Sequence, residues 1–419
     1  MSMLKSKKKM TLTARILMGL GLGLIVGILL NFTGYGDFIK DYIVSGLFYI
    51  GGQIFLSSLK LLVVPVVFIS LVVGTSSLGD IRYIGRLGGK TLGLYLITTL
   101  LAISIALVIA LFVSPGRGFE LVSAAEFNAK DAPALTKVLI DIFPSNPIQA
   151  MADGNMLQII VFSLLLGVAI TSAGAAGKRI ADFFSDLNEI VMRLVMIVME
   201  IAPFGVFFLI AKVFAEQGFG AIVPLAKYFF TVVIVLFIHA IFVYSGLLKT
   251  LSGLSPVQFF KNFRNPIAFA FSTASSNATI PVTLEAVEKH CGVKNSVASF
   301  TIPLGATVNM DGTSIMQGVA TIFVAQAYGL DLSLTQLGMV VVTATLASIG
   351  TAGVPGVGLV MLSMVFRQVG LPLEGIGLIL GVDRLLDMLR TVVNITGDAA
   401  VTCIVAKSEK AFGRKSILC

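Results

Sequence analysis

Three carboxylates and a guanidinium recur along one face of the last apolar stretch of the chain: Asp383, Asp387, Arg390, Thr391, Asn394 and Asp398. At about 100° per residue in an α-helix, these six positions fall within an arc of about 100°. An ionised side chain at the centre of a bilayer-spanning helix costs roughly 2.5–3.5 kcal/mol on the insertion scale. A chain sustains several such costs on one face when the groups look into a polar interior and hold something there. A second polar break, Asn309 to Thr313 (NMDGT), interrupts an earlier apolar run. Both sets offer charge and oxygen at a depth where water is scarce, the chemistry of a binding site inside a membrane.

The elements that position these groups follow from composition. Of 419 residues, 56% are hydrophobic and 12% charged, and the mean hydropathy is +0.97. That is too apolar for a soluble domain. Apolar runs such as Ile16–Leu30, Ile54–Val73 and Leu92–Val113 approach or exceed the roughly 20 residues needed to span a bilayer. The chain reads as an all-α polytopic membrane protein.

The net charge of +8 does not indicate nucleic acid. The basic residues cluster at helix ends: Lys5, Lys7, Lys8 and Lys9; Arg82, Arg86 and Lys90; Lys178 and Arg179; Lys261 and Arg264; Lys407, Lys410, Arg414 and Lys415. This positive-inside pattern puts both termini in the cytoplasm. Cys291, Cys403 and Cys419 form no CxxC pair, so neither a disulfide framework nor a zinc site is indicated. His239 and His290 read as packed histidines, with a metal or proton-relay role the minor alternative.

The first half predicts long helices near Ala14–Asn31, Val44–Gly74 (with Pro65 as a kink) and Leu87–Val113. Others follow near Met156–Thr171, Ile180–Phe214 (bent at Pro203) and Val223–Leu248, and the polar stretch Ser114–Asn155 reads as a connection. Gly19, Gly23 and Gly27 at four-residue spacing allow close approach of a neighbouring helix. In the second half, two apolar regions are interrupted, by Ser272–Pro281 and by Ser348–Gly358. Each half-segment is too short to span, so each pair reads as a re-entrant hairpin, followed by a helix broken by polar residues. Backbone of that kind survives at depth against protein or a water-filled cavity. Hairpin plus broken helix, occurring twice, is the pattern of an inverted repeat with a site at its midplane.

NMDGT (309–313), SIGTAGVPG (348–356) and DMLRTVVNITGD (387–398) resemble the signature stretches of the glutamate transporter family, the dicarboxylate/amino acid:cation symporters. An archaeal member is itself a standard example of inverted repeats, so that reading is not independent of the resemblance. The resemblance runs from the first helix to about Lys410. It implies about eight transmembrane helices plus two re-entrant hairpins, working as an elevator. The implied scaffold and trimerisation domain is 10–78 with 114–218. The implied transport domain is 79–113 with 219–412, its hairpins at 255–290 and 333–368.

The resemblance also implies roles. Arg390 would take a side-chain carboxylate, Asp387 the ammonium, and Asn394 both ends of the amino acid backbone. Ser275 and Ser276 would meet the α-carboxylate, and Thr391, Thr313, Val354 and Gly358 would complete the set. Sodium would be held at three places: Asp398, Asn309 and the carbonyls of Gly305 and Asn394; carbonyls at Thr307, Ser348, Ile349 and Thr351; and Asp311 and Asn309 with Tyr95, Thr98 and Thr99. The implied protein is no enzyme. It is a Na⁺-coupled symporter of L-aspartate, L-glutamate or both, a homotrimer among the lipids of the plasma or inner membrane. The alternative is a proton-coupled C4-dicarboxylate or glutamate carrier of the same family. Asp387 argues against a dicarboxylate, which has no ammonium, and Arg390 against a neutral amino acid. The candidate aspartates read NMDG and ITGD, not the GxGD of intramembrane aspartyl proteases. The chain departs from the family at Ala274 and Met388, where members keep a second arginine at one or the other. Arg384, one turn from both Asp387 and Met388, either substitutes for that arginine or else snorkels or pairs with Asp383.

Overall fold

The structure is a computed structural model that describes residues 10, 12–76, 83–118, 143–349, 351, 353 and 355–412. It is nearly all helical; among the described residues the β pairing amounts to an isolated bridge between Val293 and Phe412. The helices are α1 (Leu12–Thr33), α2 (Ile39–Ser76), α3 (Tyr83–Val113), α4 (Pro147–Asp153), α5 (Met156–Ser172), α6 (Gly174–Glu200) and α7 (Ala202–Gln217). Next comes α8 (Ile222–Ile238), which runs on through wide π-type turns at His239–Tyr244 and Leu248–Ser252. Then follow α9 (Pro256–Thr273), α10 (Ser276–Lys289), α11 (Asn295–Val308), α12 (Asp311–Ala327), α13 (Leu334–Ser348), α14 (Val357–Val369) and α15 (Gly375–Ser408).

Four described stretches are helical, long and apolar enough to cross a membrane: Ala14–Thr33, Ile39–Ser76, Arg86–Val113 and Ala202–Ser252. Their outward faces carry large apolar side chains, among them Leu22, Ile25, Leu29, Phe112, Phe237 and Phe242. Contiguous apolar surface of this kind faces lipid in a multi-pass membrane protein.

The glycine stripe of α1 does what its spacing predicts. α1 packs along α7, and a Cβ at Gly19, Gly23 or Gly27 would collide with the backbone of Pro203, Phe207 or Ala211. Pro65 lies inside α2 without ending it. The long helix predicted over Ile180–Phe214 is instead two helices. They meet at Ile201, with Pro203 in the first turn of α7, where its missing N–H leaves no helical bond unmade. Of the polar stretch 114–155, residues 119–142 lie outside the described residues, and α4 occupies Pro147–Asp153 behind an Asn146 cap.

The second half contains two helical hairpins. α9 and α10 pack together and turn at Ala274, whose φ is +50°, and Ser275, which caps α10. α13 and α14 pack likewise; Ser333 and Gln336 form a capping box at the start of α13, and Gly356 (φ +85°) precedes α14. After the first hairpin the chain is broken as predicted: α11 ends at Val308 and α12 starts at Asp311, with Asn309 extended between them. The expected break in the last helix is absent, for α15 is continuous over 34 residues. Its polar groups share one face and bond to one another, to Gly356, to Asn309 and to Gly312, without interrupting the helical run.

Candidate functional site

α15 runs through the centre of the polar cluster, packed against α12, α9, α11, α8 and α3. Arg390 is only 1% exposed. Its Nη1 donates to Asp383 Oδ1 at 2.6 Å and its Nη2 to Asp387 Oδ1 at 2.8 Å, while its buried Nε finds no partner. Asp387 also accepts on Oδ2 from Arg384 Nη1 and from the Gly356 backbone N–H, both at 3.3 Å. Arg384 thus pairs with Asp387 rather than snorkelling away. Gly358 forms a wall of the same space, since a Cβ there would lie 3.2 Å from Arg390 Nη2 and 3.4 Å from Thr313 Cγ2.

One turn further, Asn394 Oδ1 accepts from the Gly312 N–H at 2.8 Å, and its Nδ2 faces Met310 Sδ at 3.3 Å. Thr313 turns its hydroxyl toward the same sulfur at 4.0 Å. Thr391 gives its hydroxyl to the Asp387 carbonyl of its own helix. The hairpin turns meet each other: Ser275 Oγ donates to the Gly353 carbonyl at 2.7 Å, and the Asn277 N–H donates to it at 3.1 Å. A Cβ on Gly353 would lie 2.9 Å from Ser276 Cβ and 2.7 Å from the Ala306 carbonyl oxygen. Val354 lies outside the described residues.

The oxygen-rich groups converge in the break between α11 and α12. Asn309 Nδ2 donates to Asp398 Oδ1 at 2.9 Å and to the Asn394 carbonyl at 3.0 Å. Its Oδ1 is buried and has no hydrogen-bond partner. Gly305 is glycine for a reason: a Cβ would lie 2.5 Å from Asp398 Oδ1 and 2.6 Å from the Tyr95 hydroxyl. A carboxylate, an unpartnered amide oxygen and the Asn394 carbonyl suit a hard monovalent cation, which prefers oxygen. Ser348 and Thr351 are buried and Thr307 half-buried. The Ile349 carbonyl oxygen would stand 3.3 Å from a Cβ on Gly74 of α2.

The Asp311 carboxylate is satisfied by its neighbours, while His239 keeps a buried Nδ1 without a partner among the described residues. Oδ1 accepts from Thr99 at 2.6 Å; Oδ2 accepts from Tyr244 at 2.8 Å and contacts His239 Nε2 at 3.0 Å. Tyr95 gives its hydroxyl to the Thr301 carbonyl at 3.0 Å, and Thr98 gives its own to the Tyr95 carbonyl. Tyr244 and the Asp311 role of His239 escaped the sequence, as did Asp383 as the partner of Arg390. His239 is no isolated packed histidine bonded to a carbonyl; it is bonded to a carboxylate. Tyr244 lies five positions further on, and in an α-helix the two would point about 140° apart. The π-type turn between them brings both onto Asp311.

A helical protein with an apolar exterior and a charged, glycine-shaped interior where two hairpins meet a broken helix is built to hold a polar solute within the membrane. The chain belongs to the sodium:dicarboxylate symporter family, whose model matches residues 12–408. It is accordingly a transporter and not an enzyme. It is 36% identical to the proton/glutamate-aspartate symporter of Escherichia coli, over 98% of this chain and 95% of that one. It is 34% identical to the proton/sodium-glutamate symport protein of Geobacillus stearothermophilus, over 97% of each. It is also 33% identical to the C4-dicarboxylate transport protein of Bacillus subtilis, over 86% of this chain and 87% of that one.

Proposed function

We propose that this chain is a Na⁺-coupled symporter of acidic amino acids, L-aspartate, L-glutamate or both. The observation that carries the reading is the buried Arg390 between two carboxylates, with Asn394 one turn away on the same face of α15. Arg390 takes the side-chain carboxylate as a bidentate guanidinium, Asp387 takes the ammonium, and Asn394 with the turn at Ser275 and Ser276 holds the backbone groups. Thr391, Thr313, Val354 and Gly358 enclose the ligand. Na⁺ is taken first at Asp398, Asn309 and the carbonyls of Gly305 and Asn394, the set with the unpartnered amide oxygen. Further Na⁺ positions lie at the carbonyls of Thr307, Ser348, Ile349 and Thr351, and at Asp311 and Asn309 with Tyr95, Thr98 and Thr99 once their hydroxyls turn.

The protein works in the cell membrane as a homotrimer with both termini cytoplasmic. Residues 10–78 and 114–218 form the scaffold. Residues 79–113 and 219–412 carry the site across as an elevator of inverted repeats, both hairpins re-entrant and the second acting as gate. Each net positive charge that accompanies the substrate contributes about 2.3 kcal/mol per 100 mV of membrane potential.

The second reading is a proton-coupled carrier of glutamate or C4-dicarboxylates. It is favoured by Arg384, whose guanidinium already sits against Asp387 and could meet a second carboxylate. The names of the Escherichia coli and Bacillus subtilis relatives point the same way. Uptake of labelled L-aspartate, L-glutamate and succinate into proteoliposomes, under separate Na⁺ and proton gradients, decides between them. Amino acid uptake that requires Na⁺ bears out the first reading; uptake driven by protons alone overturns it.

A further inference from the structure

Tyr228 belongs to α8, which packs against both α12 and α15. It is fully buried, and its ring lies against that of Phe323 on α12, the centroids 5.1 Å apart. Its hydroxyl finds no hydrogen-bond partner among the described residues. A buried hydroxyl left unbonded costs stability. Phenylalanine at this position would keep the contact with Phe323 and avoid that cost, so packing does not account for the hydroxyl.

The surroundings of the hydroxyl do. The charged groups that act on it are the Asp383 carboxylate and the Arg390 guanidinium. Arg390 gives its two Nη atoms to Asp383 and Asp387, and its own buried Nε–H is without a partner among the described residues. Two buried donors, one phenolic and one guanidinium, are thus left unused in the same neighbourhood. We infer that Tyr228 is a further substrate-binding residue, whose hydroxyl donates to the side-chain carboxylate of an acidic substrate docked on Arg390. A carboxylate offers two oxygens and about four lone-pair sites, so it accepts from guanidinium and phenol together while Asp383 and Asp387 keep their bonds. A hydroxyl bonds an ionised acceptor more strongly than a neutral one, which favours acidic side chains. The binding residues implied by the resemblance lie on the hairpins, α12 and α15; Tyr228 adds α8 to that wall. The inference rests on the proposal that a substrate carboxylate docks on Arg390, which the amino acid and dicarboxylate readings share.

The test is calorimetric titration of the purified full-length protein with L-aspartate, L-glutamate and succinate in Na⁺ at neutral pH, in the wild type and in Tyr228→Phe. That variant removes one oxygen and keeps the ring. The Kd of each ligand that the wild type binds should rise about ten-fold, with the thermal midpoint of the protein before ligand is added unchanged or higher. An unchanged Kd overturns the inference. A raised Kd with a lowered midpoint, or a variant that does not fold, overturns it too, because the hydroxyl then supports the fold and not the ligand. If the wild type binds succinate but no amino acid, the amino acid reading fails, and Tyr228 is judged on succinate by the same criterion. If it binds none of these ligands, both fall.

Discussion

Ser275, at the turn of the first hairpin, donates its hydroxyl to the carbonyl of Gly353, in the turn of the second, at 2.7 Å. With the Asn277 N–H on the same carbonyl, this bond holds the two hairpins together over the site. A net hydrogen bond of this kind contributes about 0.5–1.5 kcal/mol. Ser275→Ala should therefore open the site more readily, raising the substrate Kd several-fold in equilibrium binding while leaving thermal stability nearly unchanged. An unaltered Kd would show that the contact does not hold the hairpins closed.

Arg390→Ala leaves Asp383 and Asp387 buried without their shared cation. Loss of one partner from a buried ion pair costs about 3–5 kcal/mol, so both stability and acidic-substrate binding should fall. Arg390→Lys keeps the charge but not the planar fork, and should retain the fold while losing more than ten-fold in affinity for aspartate. Unchanged aspartate uptake in Arg390→Lys would argue against a bidentate carboxylate contact.

Gly305 faces the Asp398 carboxylate and the Tyr95 hydroxyl. Gly305→Ala should push these groups apart and abolish or right-shift the cation dependence of uptake. Gly338→Ala, at a helical glycine with open space around it, should leave that dependence unchanged. Uptake measured against cation concentration for the two variants provides the comparison.

The glycine stripe of α1 gives a stability prediction. Gly23 sits against the backbone of Phe207 and Ala211, and a leucine there has no room. Gly23→Leu should separate α1 from α7 and lower the thermal midpoint, since overpacking typically costs 1–3 kcal/mol. Gly21→Leu, with nothing near its Cβ position, should be tolerated.

Glu409, just past the end of α15, accepts from Lys90 Nζ at 2.6 Å and from Arg86, which ties that end to α3. The Lys90 ammonium, with Arg86 beside it, holds the Glu409 carboxyl below its ordinary range. A lowered carboxyl pKa contributes stability above the unfolded value, and the contribution is lost as pH falls through the folded one. The difference in thermal midpoint between wild type and Glu409→Gln should therefore be present at neutral pH, begin to shrink near the ordinary glutamate value of about 4.3 and vanish as pH falls through the lowered folded value. The pair is partly exposed, so the difference should be small and shrink with salt.

The sequence by itself determined the local facts: apolar spans, the one-sided polar set of the last helix, the break at Asn309, the two interrupted hairpins and the close-packing glycine stripe. Each is a periodicity or a backbone preference that neighbouring residues settle among themselves. What the tertiary structure decided is which polar groups answer one another. Asp383 lies a full seven residues from Arg390, and its pairing depends on how the long arginine side chain folds back along α15 once the neighbouring helices close around it. Tyr244 and His239 reach Asp311 because α8 widens into π-type turns there, and an ideal α-helical projection puts them on different faces. The last helix stays continuous, where the repeat pattern predicts a break, and its central charges are neutralised within the helix, Arg390 by Asp383 and Asp387 and Asp387 also by Arg384. Which of these pairs form, and what the neutral Asn309 and Gly356 groups add beside them, is settled only in the packed assembly.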